Sequence, residues 1–555
     1  MSLEINYIDA PEGAQEKMNA AGENGNALSD STLIATGSPN VPYATLEPGI
    51  WKLDGTMKLL PDDPHPGWWS RERSREDCGF DNPPKITLSF PTPYGATGLT
   101  FTFSPATNQW CRKINVKWYS SQSVVVDKDY YPTSPNWILN ETVGSFEKIE
   151  VTLLETNRPG QFAKVHRIEI GMNVLFGEKE IIQTNLISEV DPTLCTLPVD
   201  AMSFEMHDYQ GRNFMPQENQ RVELMQNGVL RAVQYIKSST RKSEADYSIK
   251  CQSSIGLLND EFLGGLYNEI PVQDLLPEIL GEWEYELAPE FAEKKVTGYI
   301  PVCTQREALQ LVCFAIGAMV TTQDSSKIRM IPVPKTVASK FTANDVILGG
   351  NVKTASRYAR VEITSHSYVK SDEAEVLMDE EEFTGEDVLI TFAYPHYDYE
   401  ITGGKITAYG DNWVRITADG LVTLNAKIYT HNTRVHTRRN PEATAKERGN
   451  YISVKEATLI HSGNVQEAVD RLYTAVQSLQ TVNQQVVVSN QKAGQIVSSL
   501  MPWGDMVKGI IFSMDSTMTQ NGHIANIQIN GVEVKLDSVW FYSGEIYSGG
   551  QEVVY

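Results

Sequence analysis

Short runs in which apolar and polar residues alternate recur along most of the chain, a period that fits half-buried strands and not helices. In "GLTFTF" it puts Leu99, Phe101 and Phe103 on one face. "INVKWYS" does the same for Ile114, Val116 and Trp118, and "KIEVTLL" for Ile149, Val151 and Leu153. Pro, Gly, Asn and Asp separate these runs, the punctuation of a β-sandwich or jelly roll. Further runs follow: "MSFEM", "RVELMQ", "VLRAVQYI" and "DYSIKCQ", then "RYARVEITSH", "DVLITFAY", "NWVRIT" and "LVTLNAKIYT". The expected fold class is mainly β with α+β segments.

Two segments have a helical period instead. In "TQREALQLVCFAIGAMV" Thr304 and Glu307 have capping-box spacing, each satisfying a free N–H of the first turn, and Ala308, Leu311, Val312 and Ala315 follow at helical intervals. The spacing predicts a helix over 304–321. A second helix begins near Asn464, where Glu467 again has cap spacing and Val465, Val469, Leu472, Val476 and Leu479 form one stripe. The Gln-rich "SLQTVNQQVVVSNQ" reads as the end of that helix or as a loop. "VKGIIFSMDSTMTQNGHIANIQINGVEV" reads as a hairpin turning at Asn521-Gly522.

A chain of 555 residues suggests three or four domains at ~100–200 residues each. Residues 1–42, rich in Gly, Asn, Ala, Ser and Glu, read as an extended arm. The β-sandwich spans 43–175, a second β unit 176–265, a mixed segment 266–345, a third β unit 346–462, and a helix with the C-terminal hairpin 463–555. The start, "MSLEINYIDAPEGAQ", lacks the basic and apolar regions of a signal peptide. The longest apolar run, "LVCFAIGAMV", is about half of the ~20 residues needed to span a bilayer, so no membrane span is expected. Six dispersed cysteines with no CxxC suggest buried thiols and not a disulfide scaffold or zinc site. A net charge of −23 argues against a nucleic-acid-binding surface, which needs clustered Lys and Arg.

The stretch "DAMSFEMHDYQGRNFMPQENQRVEL" places two strand-like runs around a turn containing Asp208, Gly211, Arg212 and Phe214. Gly211 suits a chain reversal, Asp208 can hydrogen-bond the turn backbone, and Phe214 re-enters the core. Arg212 can pair with a carboxylate across the unit or across a subunit boundary. After the turn come "SIKCQSSIGLLNDEFLGG", the first helix, "SGNVQEAVDRLY" and the hairpin. Taken in order, these motifs resemble the tail-hub or tail-tip (baseplate hub) proteins of tailed bacteriophages and prophages of Gram-positive hosts, over roughly 176–555. The resemblance implies two β-barrels with small mixed α/β insertions. It also implies a homotrimeric ring in the virion that closes the tail tube and opens for DNA, assembled in the host cytoplasm with distal-tail, tail-tube and tape-measure proteins as partners. Block 43–175 is similar to discoidin-like, galactose-binding-like jelly rolls, which implies glycan binding for host attachment or an inert spacer.

Candidate chemistry is sparse. No GxSxG, HExxH, Walker A or GxGxxG stands in a suitable context, and neither catalysis nor a cofactor is expected. "LLPDDPHPGWWSRERSRED" sets Trp68, Trp69 and Arg71 in a Pro-rich loop. Aromatic faces beside polar groups suit a sugar, as they would at Trp51, Trp110 and Trp137; the alternative is that the rings plug the sandwich. The acidic run "SDEAEVLMDEEEFTGED", with Asp379, Glu380, Glu381 and Glu382, lacks the order of a calcium loop. It reads as a solvated loop, a channel lining that repels DNA phosphates, or a contact to a basic partner. His431 with His436, and His396 with Asp398, are weak metal or acid–base candidates. A host-glycan adhesin without a hub role and a cell-wall-degrading enzyme are the alternative functions.

Overall fold

The computed structural model describes residues 3–9, 13–38, 41–50, 55, 57–58, 67–209, 216, 218–347, 350–478, 480–501, 503–519, 522–534, 539–542 and 545–548. The chain is mainly β with a few short helices, and it divides into two compact units.

The first unit comprises Ile5–Phe176 and Gln220–Val222. Its main sheet runs in the order Asn19–Glu23, Lys85–Thr102, Asn136–Thr156, Cys111–Ser120, Ser123–Tyr130, with Arg167–Ile170 also on Lys85–Thr102. A second pair, Trp68–Arg73 and Phe162–Val165, is antiparallel. The faces follow the alternation: Leu99, Phe101, Phe103, Ile114, Val116, Trp118, Ile149, Val151 and Leu153 are all fully buried. Phe101 stacks on Phe103 at 5.6 Å, and Trp118 meets Phe146 edge-on at 4.7 Å.

Residues 1–42 are more than an arm. Leu3–Asp9 pairs with Met172–Phe176, and Asn19–Glu23 pairs with Lys85–Thr102. In the second of these strands a Cβ on Gly22 would lie 2.0 Å from Trp68 Nε1, so the glycine lets the buried indole press on the strand backbone. Small residues here serve close packing, whereas composition alone reads them as an extended arm.

The second unit comprises Met1–Glu4, Gly177–Asn219 and Glu223–Tyr555. Its large sheet follows the order Arg221–Gln226, Val229–Arg241, Asp246–Gln252, Ala201–His207, Ile181–Glu189, Met506–Thr519, Gly522–Val534, Gln480–Val487, Asn351–Thr354. Strand Ile496–Leu500 joins Met506–Thr519 and carries Val337–Phe341 in parallel. The strands flanking the turn at Asp208 are therefore no hairpin, because two other strands separate Ala201–His207 from Arg221–Gln226. Ala201–His207 pairs with Ile181–Glu189 and Asp246–Gln252 instead. A connection of more than a dozen residues does not set a register as a two-residue turn does. The C-terminal hairpin has the expected pairing, Thr519 opposite Gly522, while Asn521 lies outside the described residues.

Helix Gln305–Ile316 begins with the expected capping box, in which Thr304 Oγ1 accepts from Glu307 N at 3.2 Å and Glu307 Oε2 accepts from Thr304 N at 2.9 Å. It stops short of 321, and Ala318–Thr321 is a strand. Helix Val465–Ala475 buries Val465, Ala468, Val469 and Leu472, with no side-chain hydrogen bond from Asn464 to the helix amides. The Gln-rich stretch is neither helix nor loop but the strand Gln480–Val487, where Val482, Gln484 and Val486 alternate inward. All six cysteines are free thiols; burial pushes Cys313 up to about 12. Among the described residues, no helix is long and apolar enough to cross a membrane.

Candidate assembly surface

The third β block forms a ribbon. Strands Arg360–Thr391 and Trp413–Arg439, of 32 and 27 residues, pair antiparallel along their whole lengths. His396–Tyr409 and Tyr451–Val454 lie on their outer sides, giving the order His396–Tyr409, Trp413–Arg439, Arg360–Thr391, Tyr451–Val454. The register shifts between Lys370 and Ala374, Val376 and Met378, Met378 and Glu381, and Gly385 and Val388. Such bulges bend a strand and increase its twist. The bend lets Met378, Val414, Ile416, Ala418, Val422 and Leu424 close a small core. Gly403 is required where His396–Tyr409 crosses: its φ is +84°, and a Cβ there would meet the Leu421 carbonyl oxygen at 1.9 Å.

Both long strands run past their outer neighbours. The pairing of His396–Tyr409 ends at His396 opposite Ile428, so 429–439 has a neighbour on one side among the described residues. Tyr451–Val454 covers Arg360–Thr391 as far as Ile363. Val369, Val376, Tyr409, Leu421 and Val435 are each more than half exposed. Open strand edges with exposed apolar side chains are a template for pairing with another chain.

The acidic run is part of this ribbon and not a loop. Asp379, Glu380, Glu381 and Glu382 are exposed, and none has an ion-pair partner among the described residues. Glu380 takes a φ of +48° at the bulge. Flanking carboxylates are engaged: Glu375 meets His396 Nε2 at 2.6 Å, and Asp387 pairs with Arg415 at 2.8 Å. His396 and Asp398 do not act together, because Asp398 pairs with Lys427 at 2.6 Å.

His431 and His436 part company as well. His436 Nε2 lies 3.0 Å from Ser365 Oγ, whereas His431 Nε2 lies 2.9 Å from His366 Nδ1. His366 Nε2 faces the Lys455 carbonyl at 2.9 Å and must donate to it, so His366 Nδ1 accepts from His431. Burial holds both rings below the usual histidine value, which favours the neutral forms this arrangement uses. No group of three or more His, Cys, Asp or Glu among the described residues could hold a metal ion.

The sandwich residues separate by exposure. Trp68 and Trp69 stand in the strand Trp68–Arg73 and not in a loop, and they are 1% and 4% exposed. Trp69 stacks on Phe162 and meets Tyr43 edge-on. Neither indole offers a free face to a sugar: the two point to opposite sides of the strand, and both sides are covered there. Arg71 is exposed. Trp110 is half-buried, its Nε1 donating to the Pro132 carbonyl at 3.1 Å, and half-buried Trp137 packs against Phe101 and Tyr130. Trp51, Gly211, Arg212 and Phe214 lie outside the described residues. Asp208 is buried, and its N–H donates to the Ala245 carbonyl at 2.8 Å.

Sequence reading missed two polar centres. Lys164 Nζ, buried beneath Trp69, donates to Glu47 Oε2 at 2.6 Å and to Gln109 Oε1 at 2.8 Å. Burial raises the Glu47 carboxyl, but the Lys164 ammonium together with hydrogen bonds from Thr45 Oγ1 and Phe162 N holds the group below its usual value. These two residues are 117 positions apart, and no local pattern joins them. The second centre is the basic alternation Arg434, His436, Arg438 at the open edge. Its signal, "RVHTRR", was legible in the sequence.

No protein-family model matches the sequence, and no curated protein matches it. Among solved structures, the chain is similar to the tail protein from Neisseria meningitidis MC58, at 11% identity over 64% of this chain and 93% of that chain, with a TM-score of 0.41. It is also similar to the 43 kDa tail protein of prophage MuSo2 from Shewanella oneidensis, at 10% identity over 64% and 94%, with a TM-score of 0.39. A family 32 CBM from C. perfringens NanJ, solved in complex with galactose, matches at 12% identity over 31% of this chain and 99% of that chain, with a TM-score of 0.20. These TM-scores are all below 0.5.

Proposed function

We propose that the chain is a structural subunit of a bacteriophage-type tail, assembling as a homotrimeric hub at the tip that closes the tube and opens for DNA. The observation that carries this reading is the ribbon. Its two long strands leave edges open and apolar side chains exposed, as in a sheet that is completed by assembly. The order of sequence motifs over 176–555 supports the same assignment. In this reading Asp379, Glu380, Glu381 and Glu382 line the passage, where like charge repels phosphate and lets DNA slide. Distal-tail and tail-tube proteins are the flanking partners, and Arg212 lies at a subunit contact. The sandwich is an accessory domain for host glycan, with Arg71, Trp110, Trp137 and Trp51 as its contacts.

Electron microscopy of the purified protein with two-dimensional averaging tests the assembly. Three-fold rings are expected. A particle that remains a monomer by mass at every concentration, and still does so with tail-tube protein added, would rule out the hub.

A further inference from the structure

We propose that the open edge 429–439 and helix Val465–Ala475 form a docking groove for an extended acidic polypeptide segment, taken up as an added β-strand. The inference stands on the geometry of the second unit: it assigns edge 429–439 to a separate segment and leaves the edge of Arg360–Thr391 beyond Ile363 for assembly.

Three observations converge on it. The first is backbone valence. Beyond Ile428, strand Trp413–Arg439 is hydrogen-bonded on one side, to Arg360–Lys370. In an antiparallel ladder alternate residues direct N–H and C=O to opposite sides, so the other side presents a row of unpaired donors and acceptors. The second is shape. A groove of ≈ 620 Å³ follows this edge, with Arg434, Val435, His436, Thr437 and Arg438 along one wall and Gln466, Val469 and Asp470 of the helix along the other. A strand edge beside a helix is a common seat for an extended peptide, whose main chain pairs with the edge while alternate side chains enter the groove.

The third is charge. In a chain of net −23 this edge carries Arg434, Arg438 and Arg439. Arg434 and Arg439 pair with no carboxylate among the described residues, while Arg438 pairs with Asp470 and lies over the Tyr473 ring at 4.1 Å. The other nearby acid of the helix, Glu467, is held by Lys294 at 2.9 Å. Arg434 and Arg438 are four residues apart, about 13 Å along a strand, so they face positions j and j+4 of an incoming strand. Carboxylates at those positions would each meet a guanidinium, and a side chain between them would enter the groove beside Gln466.

The test is fluorescence anisotropy of a labelled, capped ten-residue peptide alternating Glu with Val and Thr, titrated with the full chain. Saturable binding is expected. It should be lost when Lys replaces Glu in the peptide, and lost again when alternate peptide amides are N-methylated, which keeps the charge and removes the strand pairing. Arg434→Glu should weaken binding by about tenfold or more, since hydrogen bonds to charged groups contribute about 1.5–3 kcal/mol each; circular dichroism confirms its fold. No binding, or binding unchanged by N-methylation, overturns the proposal. Self-association of the chain that Arg434→Glu abolishes would assign the groove to a second copy and also overturn the acidic-peptide occupant.

Discussion

Asp200 shows how one buried group ties stability to pH. Its carboxyl lies among the large-sheet strands, accepting from Glu189 N at 3.0 Å and Thr322 Oγ1 at 3.2 Å. Burial, opposed only in part by those hydrogen bonds, raises its pKa to about 7. The unfolded carboxyl releases its proton near pH ~4. Its contribution to folding is therefore complete below ~4 and is lost as pH rises through about 7. Asp200→Asn should raise Tm by a few degrees at pH 8 and leave it nearly unchanged at pH 4; calorimetry at both values checks this. Lys164 gives the complementary case. Lys164→Met leaves the fully buried Glu47 carboxylate unpaired and should cost about 3–5 kcal/mol in urea unfolding. Adding Glu47→Gln should recover most of that, which a purely steric loss at Lys164 would not allow.

At the scale of elements, alternation and caps were the readable signals. The faces of "GLTFTF", "INVKWYS" and "KIEVTLL" and the box at Thr304 follow from side-chain period and local hydrogen bonding, so neighbouring residues specify them. Thr304→Ala should lower stability by about 1 kcal/mol, as loss of an N-cap does, shifting the urea midpoint without changing the slope. Strand partners were not readable in the same way. The supposed hairpin at Asp208 and the Gln-rich strand were misjudged because pairing is settled by distant segments. Likewise the Pro-rich context of Trp68 and Trp69 left a ligand surface and a packing role both open. Their burial depends on Phe162, Tyr43 and Gly22, which the local sequence does not contain. The histidine clasp belongs to this scale too. Burial disfavours the charge on either ring, and protonating both would set N–H against N–H, so the clasp's stability is present above the ordinary histidine pKa and falls as pH drops through the lowered values. The protection factors of amides 360–370, with the intrinsic pH dependence of exchange divided out, should fall at pH 5 relative to pH 7.5, and His431→Gln should flatten that difference.

For the whole molecule, the ribbon's charge gives an expectation for the proposed hub. Replacing Asp379, Glu380, Glu381 and Glu382 together with Lys should make purified rings retain DNA in gel-shift at low salt, and retention should fall as salt rises. Rings that release DNA as readily as the parent would place the acidic strand away from the passage. The large sheet adds a demand of a different kind, one of time. Strand Ile181–Glu189 is completed by Met506–Thr519, with Thr517 hydrogen-bonded to Asn185 from 332 positions away. A ribosome adding about 5–20 residues per second needs about 15–65 s to make that stretch. Throughout translation, then, the early half of the protein waits with the centre of its sheet missing, and its yield in the cell depends on what shields that seam until the last hundred residues emerge.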